Sequence, residues 1–573
     1  MNGVGAEVGG RASSQGARKM MRAADVAARL LEAWGFNIAF GVPGESYLAL
    51  LDALHDIDDF RFINCRQEGG AAMAAEAHAR AIGKPGLVMV TRGPGLTNAS
   101  AGIHVARQGS TPLIVLIGMP ARETERRDAF QELDIQGFGQ VIGKDALIIR
   151  DPHRVAEQLS HAVHLAISGR PGPVLVGLPE DMLTEEAGDT SDALLSIPVR
   201  PRAIPSPDLL AQAADMLANA KRPFVIAGGA GWTPDATRAL ERFATRFRVP
   251  VGAAWRRQDV LDNTHPCYAG HVGLGIDPKL AERIRSADVI LAAGARLGEA
   301  TTAGYKLLAP PAIGPRLIHL HPDPNELGAV YRPSVALEGD PAATLDALAV
   351  ADPGDVTARD IWRGEARADY EAFTAPIGDI GDLQMAQVVA HVSATVPPQT
   401  AITNGAGNYA IWLHRFFHYR RFGQQLGPQS GSMGYGIPAA IGAAFANPEA
   451  RAVAFAGDGC ALMTIQELAT IAEHQLPIVV IVVDNGRYGT IRMHQERDFP
   501  GRSIGTEVTS PDFASVARGF GLGATRVRTT EEFILSFDAA FETGAPHLLH
   551  LLADRRTISP GKALDRKDEV ENA

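Results

Sequence analysis

Two short runs, around residues 458 and 485, carry the side chains best suited to hold a hard cation. Gly457-Asp458-Gly459 directly follows an apolar run at 452–456, and Asp484-Asn485 follows another at 478–483. Both runs read as buried parallel strands, and ligands in open parallel sheets bind beyond the carboxyl ends of the strands. Asp458 and the Asn485 amide oxygen are therefore expected to meet there, as an oxygen-only site of low protein charge. Such a donor set suits Mg²⁺, which keeps water and phosphate oxygens as its other ligands. Gly457 and Gly459 let backbone N–H groups approach an anion, and a helix predicted to start near Met463 aims its positive end there. A Gly-Asp-Gly triplet alone is an ordinary strand-to-turn sequence. The asparagine at this distance, with Gln466-Glu467-Leu468 between, makes the pattern specific.

Positioning those strand ends requires an alternation of strands and helices, and the chain shows it three times. Helix-like segments at 23–34 and 71–80 alternate with apolar runs at 37–40, 87–90, 113–117 and 174–176. The first two of those runs end in Gly41-Val42-Pro43-Gly44 and in the turn Arg92-Gly93-Pro94-Gly95. A second series places 223–227 before Gly228-Gly229-Ala230-Gly231, then 289–293 before Gly294, then 317–320. A third begins near Ala401. Strand, glycine turn and helix in repetition predict an α/β fold of three doubly wound parallel-sheet domains in series. Their expected extents are 21–190, 203–350 and 380–555, with tails at 1–20 and 556–573; a proline cluster at 197–207 and an acidic stretch at 351–382 read as linkers. The first and third series are candidates for structural likeness.

Composition narrows the function classes. The 573 residues carry a formal charge of −11, which argues against a nucleic-acid partner, since a phosphate backbone needs a basic footprint. No run of about 18 apolar residues is present, so no membrane span is expected. Three cysteines without metal spacing fit a reducing cytoplasm.

Residues 457–489 resemble the thiamine-diphosphate motif of the acetohydroxyacid (acetolactate) synthase and 2-oxo acid decarboxylase superfamily. The resemblance extends to Gly431-Ser432-Met433-Gly434-Tyr435-Gly436, to Gly41-Val42-Pro43-Gly44, to Arg66-Gln67-Glu68-Gly69-Gly70 and to Asp128-Ala129-Phe130-Gln131-Glu132, nearly the whole chain. It implies thiamine diphosphate and Mg²⁺ as cofactors. Asp458, Asn485 and the backbone oxygen of Arg487 would hold the metal. Gly407, Asn408, Gly457, Gly459 and Cys460 would lie near the diphosphate, with Pro43 and Tyr488 also at the cofactor. Met433 would be the apolar wedge that bends the cofactor, and the Gly431 carbonyl would accept from the aminopyrimidine. Glu68 would share a proton with the pyrimidine N1′, which places a base beside the weak carbon acid C2–H and yields the ylid that attacks a 2-oxo acid. Such a carboxyl must be poorly solvated. In this family the pyrimidine side of one subunit meets the diphosphate side of another, implying a homodimer as minimal active unit and a homotetramer as the expected assembly.

Departures from the family pattern bear on the substrate. The usual Asn-Asn pair reads Asp484-Asn485, and the usual Arg-His-Glu reads Arg66-Gln67-Glu68. No His-His pair occurs, and the turn at Thr91-Arg92-Gly93 lacks the histidine expected of the benzoylformate-decarboxylase branch. A plain decarboxylase benefits from such acids, so the reading tilts towards carboligation, as in an acetolactate synthase. Phe130, Gln131 and Lys144 would stand at the pocket mouth, with Gln131 as a polar catalytic contact. His494 occupies the place of the family's acceptor-selecting tryptophan and, with Tyr488, Ile491 and Met493, would shape a different pocket. The alternatives are a simple 2-oxo acid decarboxylase, a 2-hydroxyacyl-CoA lyase type of enzyme, or a non-catalytic cofactor-binding descendant. FAD, held in the central domain by some members, is not favoured: Gly228-Gly229-Ala230-Gly231 lacks the GxGxxG spacing, and Leu297-Gly298-Glu299-Ala300 replaces the expected stretch after Gly294-Ala295-Arg296. His319 and His321 read as strand packing.

Overall fold

The computed structural model describes residues 21–187 and 199–564. The expected tail at 1–20 lies outside them, as do 188–198 and 565–573.

Three six-stranded, all-parallel sheets follow one another along the chain. Their central strands are apolar on both faces: Leu113–Met119 and Ile478–Asp484 are buried at every position. That is the pattern of a sheet covered by helices on both sides. The first sheet runs Arg61–Asn64, Ile38–Gly41, Gly86–Thr91, Leu113–Met119, Pro173–Pro179, Asp145–Ile148. The third runs Gln425–Leu426, Ala401–Asn404, Ala452–Gly457, Ile478–Asp484, His547–Leu552, Gly523–Val527. Numbered within each series, both have the order 2-1-3-4-6-5, so the first and third series are alike in topology. The middle sheet has the order 3-2-1-4-5-6 of dinucleotide-binding folds.

The first and third sheets share one hydrophobic core. It forms around helices Glu68–Ile82, Arg92–Gly109 and Gly436–Ala446, whose small residues let the axes approach. A Cβ at Gly442 would fall 2.0 Å from the Ala74 carbonyl oxygen, and one at Gly102 would fall 2.4 Å from the Ala72 Cβ. The glycine excess in the sequence is thus partly a packing requirement.

Three local expectations are corrected. The turn at Arg92–Gly95 is the first turn of helix Arg92–Gly109; Pro94 is tolerated there because first-turn N–H groups have no intrahelical partner. The helix expected near Met463 begins at Asp458 itself, directly after Gly457. Beyond residue 555, the segment set apart as a tail opens with an antiparallel pair, Thr557–Ser559 with Lys562–Ala563.

Candidate functional site

The carboxyl ends of the strands Ala452–Gly457 and Ile478–Asp484 lie side by side in register, Gly457 opposite Val483. Asp458 and Asn485 leave those ends together: Asp458 Oδ2 and Asn485 Oδ1 both accept from the Arg487 N–H, at 3.2 and 3.3 Å. Asp458 Oδ1 accepts from the Gly459 N–H at 2.6 Å. Asp458 is buried, and its carboxyl is pushed up to about 6, first by desolvation and then by the neighbouring Asp484 carboxylate. The protein alone thus leaves a buried carboxylate short of positive charge, a deficit that a divalent cation would relieve. Among the described residues there is no group of three or more His, Cys, Asp or Glu side chains that could hold a metal. The candidate ligand set is instead one carboxylate plus neutral oxygens, as Mg²⁺ accepts.

Asp484, the departure from the usual asparagine, keeps its carboxylate beside Asp458. It accepts from Ser510 Oγ at 2.9 Å and from the Gly486 N–H at 3.0 Å, and meets His550 Nε2 at 2.9 Å. Those partners hold its carboxyl below the usual range despite burial. The substitution is accommodated because Ser510, Gly486 and His550 meet its charge.

A cleft of about 260 Å³ opens over these strand ends. Asp458, Asn485 and Arg487 line it, as do Gly407, Asn408, Gly431, Met433, Gly457, Gly459, Cys460 and Tyr488. A Cβ at Gly459 would fall 2.5 Å from the Tyr488 ring, and one at Gly405 would fall 2.3 Å from Cys460 Sγ, so the cradle's shape depends on missing side chains. Cys460 Sγ accepts from the Gly434 N–H at 3.2 Å, fixing the segment that carries Met433. Asn408 Oδ1 accepts from Thr490 Oγ1 at 2.8 Å, tying the Gly407 turn to helix Gly489–Asp498.

Pro43, Glu68, Gln131 and His494 do not line this cleft. Glu68 opens helix Glu68–Ile82, capped by Gln67, whose Oε1 accepts from the Gly70 N–H at 3.0 Å. It is half-buried, and its Oε2 accepts from Asn98 Nδ2 at 2.9 Å. Gln131 is exposed with φ +61°, and its carbonyl accepts from the Gly93 N–H at 2.9 Å. Beside it the exposed Phe130 ring lies 5.6 Å from the Arg92 guanidinium carbon. Lys144 does not join them: it precedes the strand Asp145–Ile148, at the opposite end of the sheet, and its Nζ donates to the carbonyls of Leu165 and Ser168, each at 2.6 Å. His494 is exposed on helix Gly489–Asp498. In the middle domain, His319 Nε2 lies 2.8 Å from the Ala295 oxygen and His321 Nδ1 lies 3.1 Å from the Asp323 N–H, both rings buried, as strand packing predicts.

Glu467 is a residue whose role sequence reasoning missed. It is fully buried, and its Oε1 accepts from the N–H groups of Arg66 (3.0 Å) and Gln67 (3.1 Å), while Oε2 accepts from Thr470 Oγ1 (2.8 Å). It therefore fixes the turn just before Glu68 against the third domain of the same chain. Glu467→Ala would leave three donors unpaired and should cost about 2–3 kcal/mol. A thermal or urea midpoint checks this, with Glu467→Gln losing less because one acceptor remains.

Three profiles of thiamine pyrophosphate enzymes match in the same order: the N-terminal TPP binding domain at 21–138, the central domain at 210–348 and the C-terminal TPP binding domain at 405–551. Curated relatives span the chain. The probable acetolactate synthase large subunit of Methanocaldococcus jannaschii is 31% identical over 94% of this chain and 93% of its own. The acetolactate synthase isozyme 2 large subunit of Escherichia coli K12 is 30% identical over 93% and 96%. The chain belongs to the thiamine pyrophosphate enzyme family. A solved family structure, the thiamine diphosphate-dependent 4-hydroxybenzoylformate decarboxylase of Rhodococcus jostii RHA1, superposes with a TM-score of 0.82 at 27% identity, covering 93% of this chain and 99% of that one. This thiamine pyrophosphate enzyme is accordingly a carboligase or decarboxylase of the acetolactate-synthase type, making or breaking carbon–carbon bonds.

Proposed function

We propose that the cleft holds thiamine diphosphate through Mg²⁺ and that the protein joins a 2-oxo acid donor to a second carbonyl compound. Bound there, thiamine diphosphate would supply the carbon nucleophile and electron sink for reaction beside a 2-oxo group. Asp458, Asn485 and the Arg487 carbonyl are the residues suited to the cation, with Gly457, Gly459 and Cys460 beside its phosphate ligands. Met433 offers an apolar support, and Tyr488 packs over Gly459 to keep water from that end. Pro43 and Glu68 would come from the first domain of a second copy, Glu68 holding a proton at its carboxyl. We take the assembly to be a homotetramer of such dimers, in the cytoplasm, where three buried free cysteines fit reducing conditions.

One observation carries the preference for ligation. The chain has no adjacent His-His pair and no histidine in the turn Thr91-Arg92-Gly93. A site that only releases CO₂ must protonate the remaining carbon and profits from a positioned acid; a site that offers an acceptor carbonyl has less need of one. Gln131 and His494 would approach this space only in the assembled enzyme. The central domain should hold no flavin. Its strand-end N–H groups are already used, Gly228 by the Ala293 oxygen, Ala230 by the Gly294 oxygen and Gly294 by the Leu320 oxygen. The purified protein is expected to lack visible flavin absorbance.

Purified protein with thiamine diphosphate and Mg²⁺ would be given pyruvate, 2-oxobutyrate, glyoxylate or benzoylformate, following CO₂ and product. A hydroxyketone or hydroxyacid is expected; an aldehyde as sole product would replace ligation by plain decarboxylation.

A further inference from the structure

A second cavity, of about 270 Å³, lies where the three domains meet and shares no lining residue with the cofactor cleft. The first domain contributes Trp34 and Lys84, the central domain Trp232 and Arg257, and the third domain Phe422; Arg200 enters from the segment before the central domain. Two of its walls carry buried donors with nothing to donate to. Arg257 is 7% exposed and its Nε has no hydrogen-bond partner. Trp34 is 4% exposed and its Nε1 has none either. Buried donors left unpaired are costly, so two around one cavity point to an acceptor that belongs there.

The charges say what kind. Arg80, Lys84, Arg200 and Arg257 line the cavity together with Asp259, the only carboxylate among the described lining residues. Arg80 is already used, donating to the carbonyls of Gly427 and Gln425 at 2.9 and 3.0 Å. Asp259 is half used: its Oδ2 accepts from the Gly423 and Gln425 N–H groups at 2.8 and 3.3 Å, while Oδ1 is unpartnered. Three lining cations remain against that one lining carboxylate, with Glu76 near Arg257 and Asp340 near Arg200 behind the wall. The Arg257 guanidinium carbon lies 5.6 Å from the Phe422 ring centroid, and Trp34, Trp232 and Phe422 make much of the wall aromatic. Burial and the nearby Arg80 draw the Arg257 guanidinium down to about 10, a strain that an anion would reverse.

We propose that this cavity is a second small-molecule site, taking an organic carboxylate with an apolar body. Its carboxylate would accept from Arg257 and Trp34, with Lys84 and Arg200 at the edge, and its body would rest on the aromatic walls. The volume is at the small end of ligand pockets, so a monocarboxylate of metabolite size fits and a nucleotide does not. Because all three domains line it, an occupant would brace their arrangement without touching the cofactor cleft.

The probes are 3-phenylpropionate and 4-methylpentanoate, with 3-phenylpropionamide and inorganic phosphate as controls, titrated into the full-length protein loaded with thiamine diphosphate and Mg²⁺. Tryptophan fluorescence and calorimetry would be followed together. The carboxylates are expected to bind saturably and quench fluorescence, with the amide and phosphate at least about tenfold weaker. The double variant Lys84→Gln/Arg200→Gln changes two side chains at the cavity's edge, so folding should survive, and should weaken the carboxylates about tenfold with cofactor affinity unchanged. Trp34→Phe should remove most of the quench. Binding unchanged in the double variant would place the carboxylate in the cofactor cleft and overturn the proposal. So would amide or phosphate binding as tight as the acids, or no binding at all.

Discussion

Replacing Glu68 by glutamine should reduce turnover by roughly 10²- to 10⁴-fold, the range for losing a positioned proton carrier. The substitution is nearly isosteric, and the glutamine side-chain oxygen can still accept from Asn98 Nδ2, which the Glu68 carboxylate meets at 2.9 Å. The helix it opens is capped by Gln67 and not by Glu68 itself, so helix Glu68–Ile82 should form unchanged. Loss of activity with an unaltered thermal midpoint would therefore report on the proton and not on the fold. What glutamine cannot do is exchange a proton with the cofactor's pyrimidine. Single-turnover measurements on wild type and Glu68→Gln with saturating thiamine diphosphate separate that step from cofactor binding, which should shift by less than about tenfold. Undiminished turnover in the variant would remove Glu68 from the catalytic machinery.

Much of this was legible because parallel-sheet physics ties sequence to place. An apolar run followed by Gly-Asp-Gly announces a buried strand and its carboxyl end, and two such ends brought Asp458 and Asn485 to one N–H. The likeness of the first and third sheets was legible as a shared rhythm, and the identical strand order bears it out. What the sequence hid depends on contacts between distant segments. Glu467 looks like an ordinary helix-start glutamate, and only the Arg66 and Gln67 backbone, in another domain, reveals its work. The Gly442 close approach to Ala74 is likewise invisible without both helices in view. Lys144 was misplaced because a lysine beside a strand gives no sign of which end of the sheet it occupies; the Leu165 and Ser168 carbonyls decide it. Helix starts at Arg92 and Asp458 were hidden by glycine and proline, which read as turns although both are tolerated in a first helical turn.

Asp458→Asn should lower Mg²⁺ affinity by more than roughly the 100-fold that loss of an outer-shell partner costs, and abolish turnover with it. The same carboxylate should make metal affinity depend on pH. Its folded-state carboxyl sits near 6 because burial and Asp484 disfavour the charge, against about 3.9 for a solvated aspartate. A raised carboxyl binds its proton more tightly folded than unfolded, so its contribution to the metal-free protein is greatest below about 4 and is lost as pH rises through 6. Metal binding runs the other way, because the ligand must be deprotonated. Calorimetric titration with Mg²⁺ without thiamine diphosphate, whose terminal phosphate itself titrates at about pH 6, should show affinity falling as pH drops below about 6 and level above it, with Asp458→Asn flat throughout. A wild-type profile as flat as the variant's would remove Asp458 from the metal site. Mixing the two variants then asks where the active site is built. In this structure Glu68 does not line the cleft that Asp458 lines. If two subunits complete each site, a hybrid of a Glu68→Gln chain with an Asp458→Asn chain holds one site with both defects and one with neither. Refolding the two inactive variants together at equal ratio should then restore roughly a quarter of wild-type activity, half the dimers being hybrids with one good site each. A site built within one chain would restore none.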